Sequence, residues 1–266
     1  MVVFSAVKII FLNCFEGCLE PERFDRLVDW VNSENPDILG LSELNNWDKN
    51  DFKKINEFKA KTSFLFHLFC VSSHGYHLGL FSRKIFLNGV SLSEGFKTGF
   101  ICATQKGEGG EEITFAVTHL HSKNERMQLD ELKKIAPYLD PSKNVILMGD
   151  MNALSKKDRY DEADLLRVFN KIKLEKFGIN QVEFKVTDQL KNHGFLDIHH
   201  EMNRSFQSTV PTKMNKDEAH SLPLRLDYFF ISPGLKERVK SYQIITNGVN
   251  DFISDHYPIK IELNEP

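Results

Sequence analysis

At 266 residues, 41% hydrophobic and 27% charged with no low-complexity tract, the chain has the composition of a globular protein with a sizeable core, which excludes a disordered or fibrous class. A formal net charge of −3 excludes the whole-protein basic field of many duplex-binding proteins, while leaving room for a local basic rim. Cys14 and Cys18 are spaced like half a metal site, but Cys70 and Cys102 do not complete it, and no apolar run approaches the roughly 20 residues needed to span a bilayer; buried thiols in a cytoplasmic protein are expected.

Residues 3–13 are β-branched and aromatic and predict a first strand. Lys8 interrupts the apolar run, and neither a basic start nor a small-residue cleavage site accompanies it, so a buried strand is expected there and not a signal sequence. In "PERFDRLVDWVNSENP" the spacing of Phe24, Leu27, Val28 and Val31 predicts a helix between Pro21 and Pro36. "DILGLSE" predicts a short buried strand, and residues 48–61 a solvated helix carrying Phe52, Ile55 and Phe58. From 63 to 118 the pattern is of strands, in "SFLFHLFCV", "GYHLGLFS", "GFICATQK" and "ITFAVTHLHS", with a hairpin signal at "KGEGGEE". A helix over 124–139, a strand over 143–149 and an amphipathic helix over 161–173 follow. "VTDQLKNHGF" predicts a helix stopped by Gly194; after a polar loop near 203–224 come strands in "RLDYFFIS", "KSYQIIT" and "HYPIKIEL". No linker or composition break divides this series, and helices mix with strands without strict alternation. A single α/β domain over 1–266, with mixed or antiparallel sheets covered by helices, is expected.

Polar residues fall repeatedly where these strands end. Asn13 and Glu43 close the first two strands, His119 and His121 close another, and Asp150 and Asn152 follow "VILMG". Asp227 interrupts an apolar strand, and Asp255 and His256 precede the last one. Alone, each reads as readily as a turn residue. Strand ends can converge on one edge of a sheet, however, so groups scattered in sequence can form one site.

In their order, "FLNC", "LGLSELNNW", "THLHS", "MGDMNAL", "LRLDYFFISPGL" and "ISDHYPI" resemble the endonuclease/exonuclease/phosphatase superfamily, the enzymes with a deoxyribonuclease-I-like fold. The resemblance runs from about residue 8 to residue 263. It implies an α/β (α+β type) four-layer sandwich, with two central mixed β-sheets flanked by helices. It also implies a phosphoester hydrolase using Mg²⁺ or Mn²⁺, hard cations that an oxygen-rich, thiol-poor site suits.

By the same resemblance, Glu43 is the principal metal ligand, and Asp255 binds or supports metal. Asp150 orients or deprotonates the attacking water while Asn152 holds the phosphate. Residues i and i+2 of an extended segment point the same way, so these two could address one phosphorus atom, with Gly149 letting the backbone approach closely. Asp227 and His256 match an Asp–His pair in which the carboxylate fixes the imidazole tautomer and raises its basicity. Asn13 matches a hydrogen-bonding residue on the phosphate or metal side. His119 and His121 share a strand face, and His119 is favoured; the other histidines, His199 and His200 among them, are expected to be structural or exposed, and Asp197 to give structural support.

Three departures speak against abasic-site DNA repair. Ser42 stands where many relatives carry Gln, Phe15 stands where apurinic-site endonucleases carry an acid, and residues 197–227 lack a cluster of bases or aromatics. Lys156, Lys157 and Arg159 are either a phosphate-binding rim or a solvated loop. Other arginines, at 83, 126, 204 and 225, are isolated. A phosphodiesterase acting on short or single-stranded nucleic acid is the leading expectation. A phosphoesterase for an inositol phosphate or phospholipid head group is the alternative, and an inactive scaffold the remaining one.

Overall fold

The computed structural model describes residues 6–202, 205–246 and 248–265. Positions 3–5 of the expected first strand and Arg204 lie outside these residues.

Among the described residues, two six-stranded sheets form the centre of the molecule. The first runs in the order β11 (Val239–Ile244), β12 (Ile259–Asn264), β1 (Ala6–Asn13), β2 (Ile38–Ser42), β4 (Leu78–Ser82) and β3 (Phe66–Cys70). The second runs β5 (Asn88–Leu92), β6 (Gly99–Lys106), β7 (Glu112–His119), β8 (Val145–Asp150), β10 (Asp227–Ile231) and β9 (Leu196–Asp197). Each sheet is antiparallel except for one parallel pair, β1 with β2 and β7 with β8.

Strand periodicity separates the layers. In β1, Ile9 and Phe11 enter the core between the sheets with Ile38, Val117, Met148 and Phe229, while Ile10 and Leu12 face the other way. There they meet Phe24, Leu27 and Val31 of helix α1 (Pro21–Glu34) and Ile55 and Phe58 of α2 (Lys49–Lys61). On the far side, Ala116, Leu147 and Phe230 pack against α3 (Glu125–Ile135) and α5 (Lys185–Asn192) through Leu132, Ile135, Val186 and Leu190. The result is the expected four-layer sandwich of helices, two mixed sheets and helices. A smaller cluster centred on Phe169 and Phe177 joins α4 (Glu162–Lys171) to the segment 205–226.

Several expected elements differ in detail. The strand β5 was not legible because Asn88–Leu92 is an edge with no fully buried residue and no apolar alternation. The two-residue β9 and the single turn α6 (Ile198–Glu201) are too short to carry a periodic signal. In α2, Asn50, Asp51 and Phe52 have φ values of 51°, 54° and 56°, so a right-handed helix starts only after them. The helix expected over 161–173 is confined to 162–171, and that over 124–139 passes into a 3₁₀ turn at Ala136–Tyr138. All four cysteines are free and buried, as expected.

Candidate active site

The strand registers bring the polar strand ends to one edge of the sandwich. Asp150, the last residue of β8, lies beside His119 of β7 on one side and Asp227 of β10 on the other. In the other sheet Asn13 lies beside Ser42, so Glu43 follows at the same edge. The turn before β12 brings Asp255 and His256 to this edge, because β12 runs antiparallel to β1. Gly149 is required by this arrangement: a Cβ there would lie 2.1 Å from the Thr118 carbonyl oxygen. The close backbone approach it permits is that of β7.

Asp150 is the hub. Its Oδ2 accepts from Asn13 Nδ2 at 3.1 Å and lies 3.4 Å from His119 Nε2 and 3.9 Å from His256 Nε2. Burial opposes its ionisation, yet the His119 and His256 imidazoles, the Lys176 ammonium and the Asn152 N–H hold its pKa down to about 2. Its other oxygen accepts from the backbone N–H of Asn152 at 2.8 Å, and Asn152 has a φ of 49°. The segment 150–152 is therefore an Asx-type turn and not the extended stretch that places i and i+2 side by side. Asn152 still lines the cleft, held by its Nδ2 donating to the Leu120 carbonyl. Turn and site are the same feature here.

Glu43 adopts a left-handed φ of 54°, a strained conformation for a non-glycine residue of the kind that collects at functional sites. Its Oε1 accepts from Asn13 Nδ2 at 3.2 Å and its Oε2 from the Glu16 N–H at 3.1 Å. The loop that supplies Glu16 is clamped by Arg23, whose guanidinium donates to the carbonyls of Cys14, Phe15 and Ile253. One buried cation thus ties the loop after Asn13 to the segment that carries Asp255 and His256.

His256 donates from Nδ1 to Asp227 Oδ2 at 2.8 Å, and both residues are 1% exposed. Burial alone would depress the imidazole, but Asp227, Asp255 and Asp150 raise it to about 10, so His256 is an imidazolium at neutral pH. Burial in turn pushes Asp227 up in spite of His256. Beside this pair stands another imidazole, His220, its ring centroid 5.2 Å from that of His256 and its Nδ1 3.5 Å from Asp255 Oδ2.

Glu43, His119, Asp150, Asn152, His220 and Asp255 line a polar cleft of about 340 Å³ that also takes in Phe15, Tyr76, Lys97, Lys176 and Asp217. Asn13, Asp227 and His256 support its floor from the buried side. Of the expected residues, His121 is not brought in: β7 ends at His119, and the His121 Nδ1 accepts from the Lys123 N–H in a local turn. Lys156, Lys157 and Arg159 are exposed on a 3₁₀ turn and do not line the cleft. Arg225 is fully buried, paired with Asp158 and Asp197 and stacked on Tyr228; His200 joins this network through Asp158 at 2.9 Å. Lys97, Lys176 and His220 were missed as site residues. Lys97 and Lys176 sit in loops and His220 ends a short 3₁₀ turn (Glu218–His220), none with a local motif, and only the tertiary fold delivers them.

Among the described residues, Asp158–His199–His200, His220–Asp255–His256 and Asp150–Asp227–His256 each bring three donor atoms within 4.8 Å of one another, and a further set gathers around Glu43. Around Glu43 and Asp150 the set is carboxylate oxygen, since Asn13 turns its Nδ2 to both carboxylates and its Oδ1 accepts from the Phe15 N–H; the buried Nδ1 of His119, 4.0 Å from Glu43 Oε1, lacks a hydrogen-bond partner among the described residues. A hydrated Mg²⁺ or Mn²⁺ fits there. His220, Asp255 and His256 form a nitrogen-rich set within 4.8 Å; the ammonium of Lys176 against His220 and the protonation of His256 both disfavour a cation at that point.

The sequence profile of the Endonuclease/Exonuclease/phosphatase family matches residues 11–256. No curated protein matches the sequence significantly. Among solved structures, an endonuclease/exonuclease/phosphatase family protein from Leptotrichia buccalis superposes with a TM-score of 0.67 at 18% identity, over 97% of this chain and 99% of that one. An endonuclease/exonuclease/phosphatase from Beutenbergia cavernae gives 0.67 at 16% identity, over 98% and 72%. A family protein from Bacteroides thetaiotaomicron gives 0.66 at 14%, over 98% and 96%. At these identities the likeness establishes the fold.

Proposed function

Because the chain belongs to the endonuclease/exonuclease/phosphatase family, we propose that it is a phosphodiesterase dependent on Mg²⁺ or Mn²⁺, acting on nucleic acid offered as a short or single strand. The observation that carries this reading is the meeting of Asp150 with Asn13, His119 and His256 at the floor of one polar cleft.

When bound beside Glu43, the cation supplies Lewis-acid relief of charge on the phosphoryl and leaving oxygens. Asp150, with a pKa near 2, is a weak base, so its part is to orient the attacking water by accepting its hydrogen bond. The His256 imidazolium, fixed by Asp227 beneath the floor with its Nε2 3.9 Å from Asp150 Oδ2, stabilises through its charge the negative charge that grows on the phosphate. Asn152 and Asn13 place amides around the same centre, and His119 shares Asp150 with them. Asp255 supports His220.

The distribution of charge supports the short or single strand. Lys156, Lys157 and Arg159 stand outside the cleft, so few phosphates are neutralised, and the salt dependence of binding should have a log–log slope of magnitude below about 4. The cleft volume of about 340 Å³ favours a second reading, a small phosphoester such as an inositol phosphate or a phospholipid head group. One panel decides between them: single- and double-stranded DNA, RNA, inositol phosphates and sphingomyelin, each with Mg²⁺, Mn²⁺ or EDTA. Metal-dependent cleavage of single strands with a shallow salt slope is expected. A steep slope with strong duplex preference would contradict the reading, and hydrolysis of a small phosphoester alone would select the second one.

A further inference from the structure

Lys176 is only 4% exposed, and it lines the cleft. The next residue, Phe177, is buried against Phe169 with ring centroids 5.0 Å apart, in the cluster that includes Leu165 and Val182. That anchor fixes the backbone and delivers the lysine side chain inward. The hydrogen-bond partner of its Nζ is the Nε2 of His220 at 3.2 Å, and no carboxylate oxygen comes within 4.0 Å among the described residues. An ammonium donating to Nε2 leaves the His220 proton on Nδ1, the atom 3.5 Å from Asp255 Oδ2, so Asp255 and His220 together prop the lysine.

A buried ammonium whose direct contact is a neutral nitrogen is an expensive group to keep. Burial depresses its pKa, while the fields of Asp150, Asp217, Glu43 and Asp255 sustain its charge. Methionine would fill the same space without that penalty. The other cleft lysine, Lys97, already donates to Ser122 Oγ. Building on the phosphoester reading, we propose that Lys176 is a substrate-binding residue whose ammonium, propped by His220, takes a non-bridging oxygen of the phosphate. Its charge stays unpaired in the free protein so that the phosphate can pair with it.

The proposal separates Lys176 from a structural lysine by the sign of its effect on stability. The probe is inorganic phosphate, titrated calorimetrically and by thermal melting in EDTA, against the wild-type chain, Lys176→Met and Lys176→Arg. Phosphate should bind the wild-type chain and raise its melting temperature. Lys176→Met should weaken phosphate affinity about 10- to 100-fold, the size of one lost charge-assisted hydrogen bond. The phosphate-free methionine variant should melt higher than wild type, and Lys176→Arg should recover part of the affinity. Equal phosphate affinity in wild type and Lys176→Met, absence of phosphate binding by the wild type, or a phosphate-free Lys176→Met protein that melts lower would overturn it. Because this readout needs no turnover, a chain that hydrolyses no phosphoester yet loses phosphate affinity on Lys176→Met refutes the hydrolase reading and leaves this one standing.

Discussion

Replacing Asp227 with Asn should convert His256, at physiological pH, from a cation into a neutral imidazole. The folded protein lifts His256 from 6.5 to about 10, a net preference for the charged form of about 5 kcal/mol. At an effective dielectric constant of about 20, a carboxylate at 2.8 Å contributes about 6 kcal/mol and one at 3.9 Å about 4 kcal/mol. Removing the Asp227 charge therefore withdraws more than the whole net preference, while the burial penalty stays. His256 in Asp227→Asn should titrate at or below its ordinary value. The assay is an NMR titration of the His256 ring protons, run beside a pH–rate profile. In the variant, activity at pH 7.5 should fall by orders of magnitude and rise again as the pH is lowered through the new pKa. Stability follows the same sign: the wild-type pair stabilises fully below pH 6.5, and that contribution fades as pH rises through about 10. His256→Ala should cost about as much activity as the double variant, because residues acting as a unit are non-additive. An imidazole still charged at pH 7.5 in Asp227→Asn, or additive losses in the cycle, would refute the pairing argument.

Glu43→Gln should keep the melting temperature near that of wild type while weakening Mn²⁺ binding by more than about tenfold, measured calorimetrically; unchanged affinity would remove Glu43 from the metal assignment. His199 is held neutral, pushed down to about 4 by burial and then by the Arg225 guanidinium. The unfolded chain binds its proton more readily, so stability falls as pH drops from 6.5 towards 4, and the melting temperature of His199→Leu should fall less steeply over that window. Identical pH dependence in the two proteins would show that another group governs acid unfolding.

The legible part of this protein is the part written in strands. The continuous apolar runs 9–12 and 145–148 are dictated by burial on both faces of each sheet, and a polar residue at the end of such a run stands out. Glu43, His119, Asp150 and Asp227 were visible for that reason. His121 was misplaced because strand alternation was extended past His119, where the chain turns. Asn152 was placed in the site by a geometry that does not occur, since its backbone is left-handed and it is held by Leu120. Lys176 and His220 were invisible because their positions depend on Phe177 packing in a satellite cluster and on the path of the segment 205–226, neither of which has a periodic signature. Lys156, Lys157 and Arg159 drew attention as a charge run, yet the residue the fold uses among them is Asp158, buried against Arg225.

The most direct test of the account is hydrolysis by the metal-stripped wild-type chain and by Asp150→Asn, each measured on a single-stranded oligonucleotide and on a small-phosphoester panel with Mg²⁺ and with EDTA. The account predicts turnover by wild type that appears with Mg²⁺ and vanishes with EDTA, and a loss of about 100-fold or more in Asp150→Asn, the size of a misplaced reactant, at unchanged fold. Full activity in EDTA, or an Asp150→Asn protein as active as wild type, would contradict it.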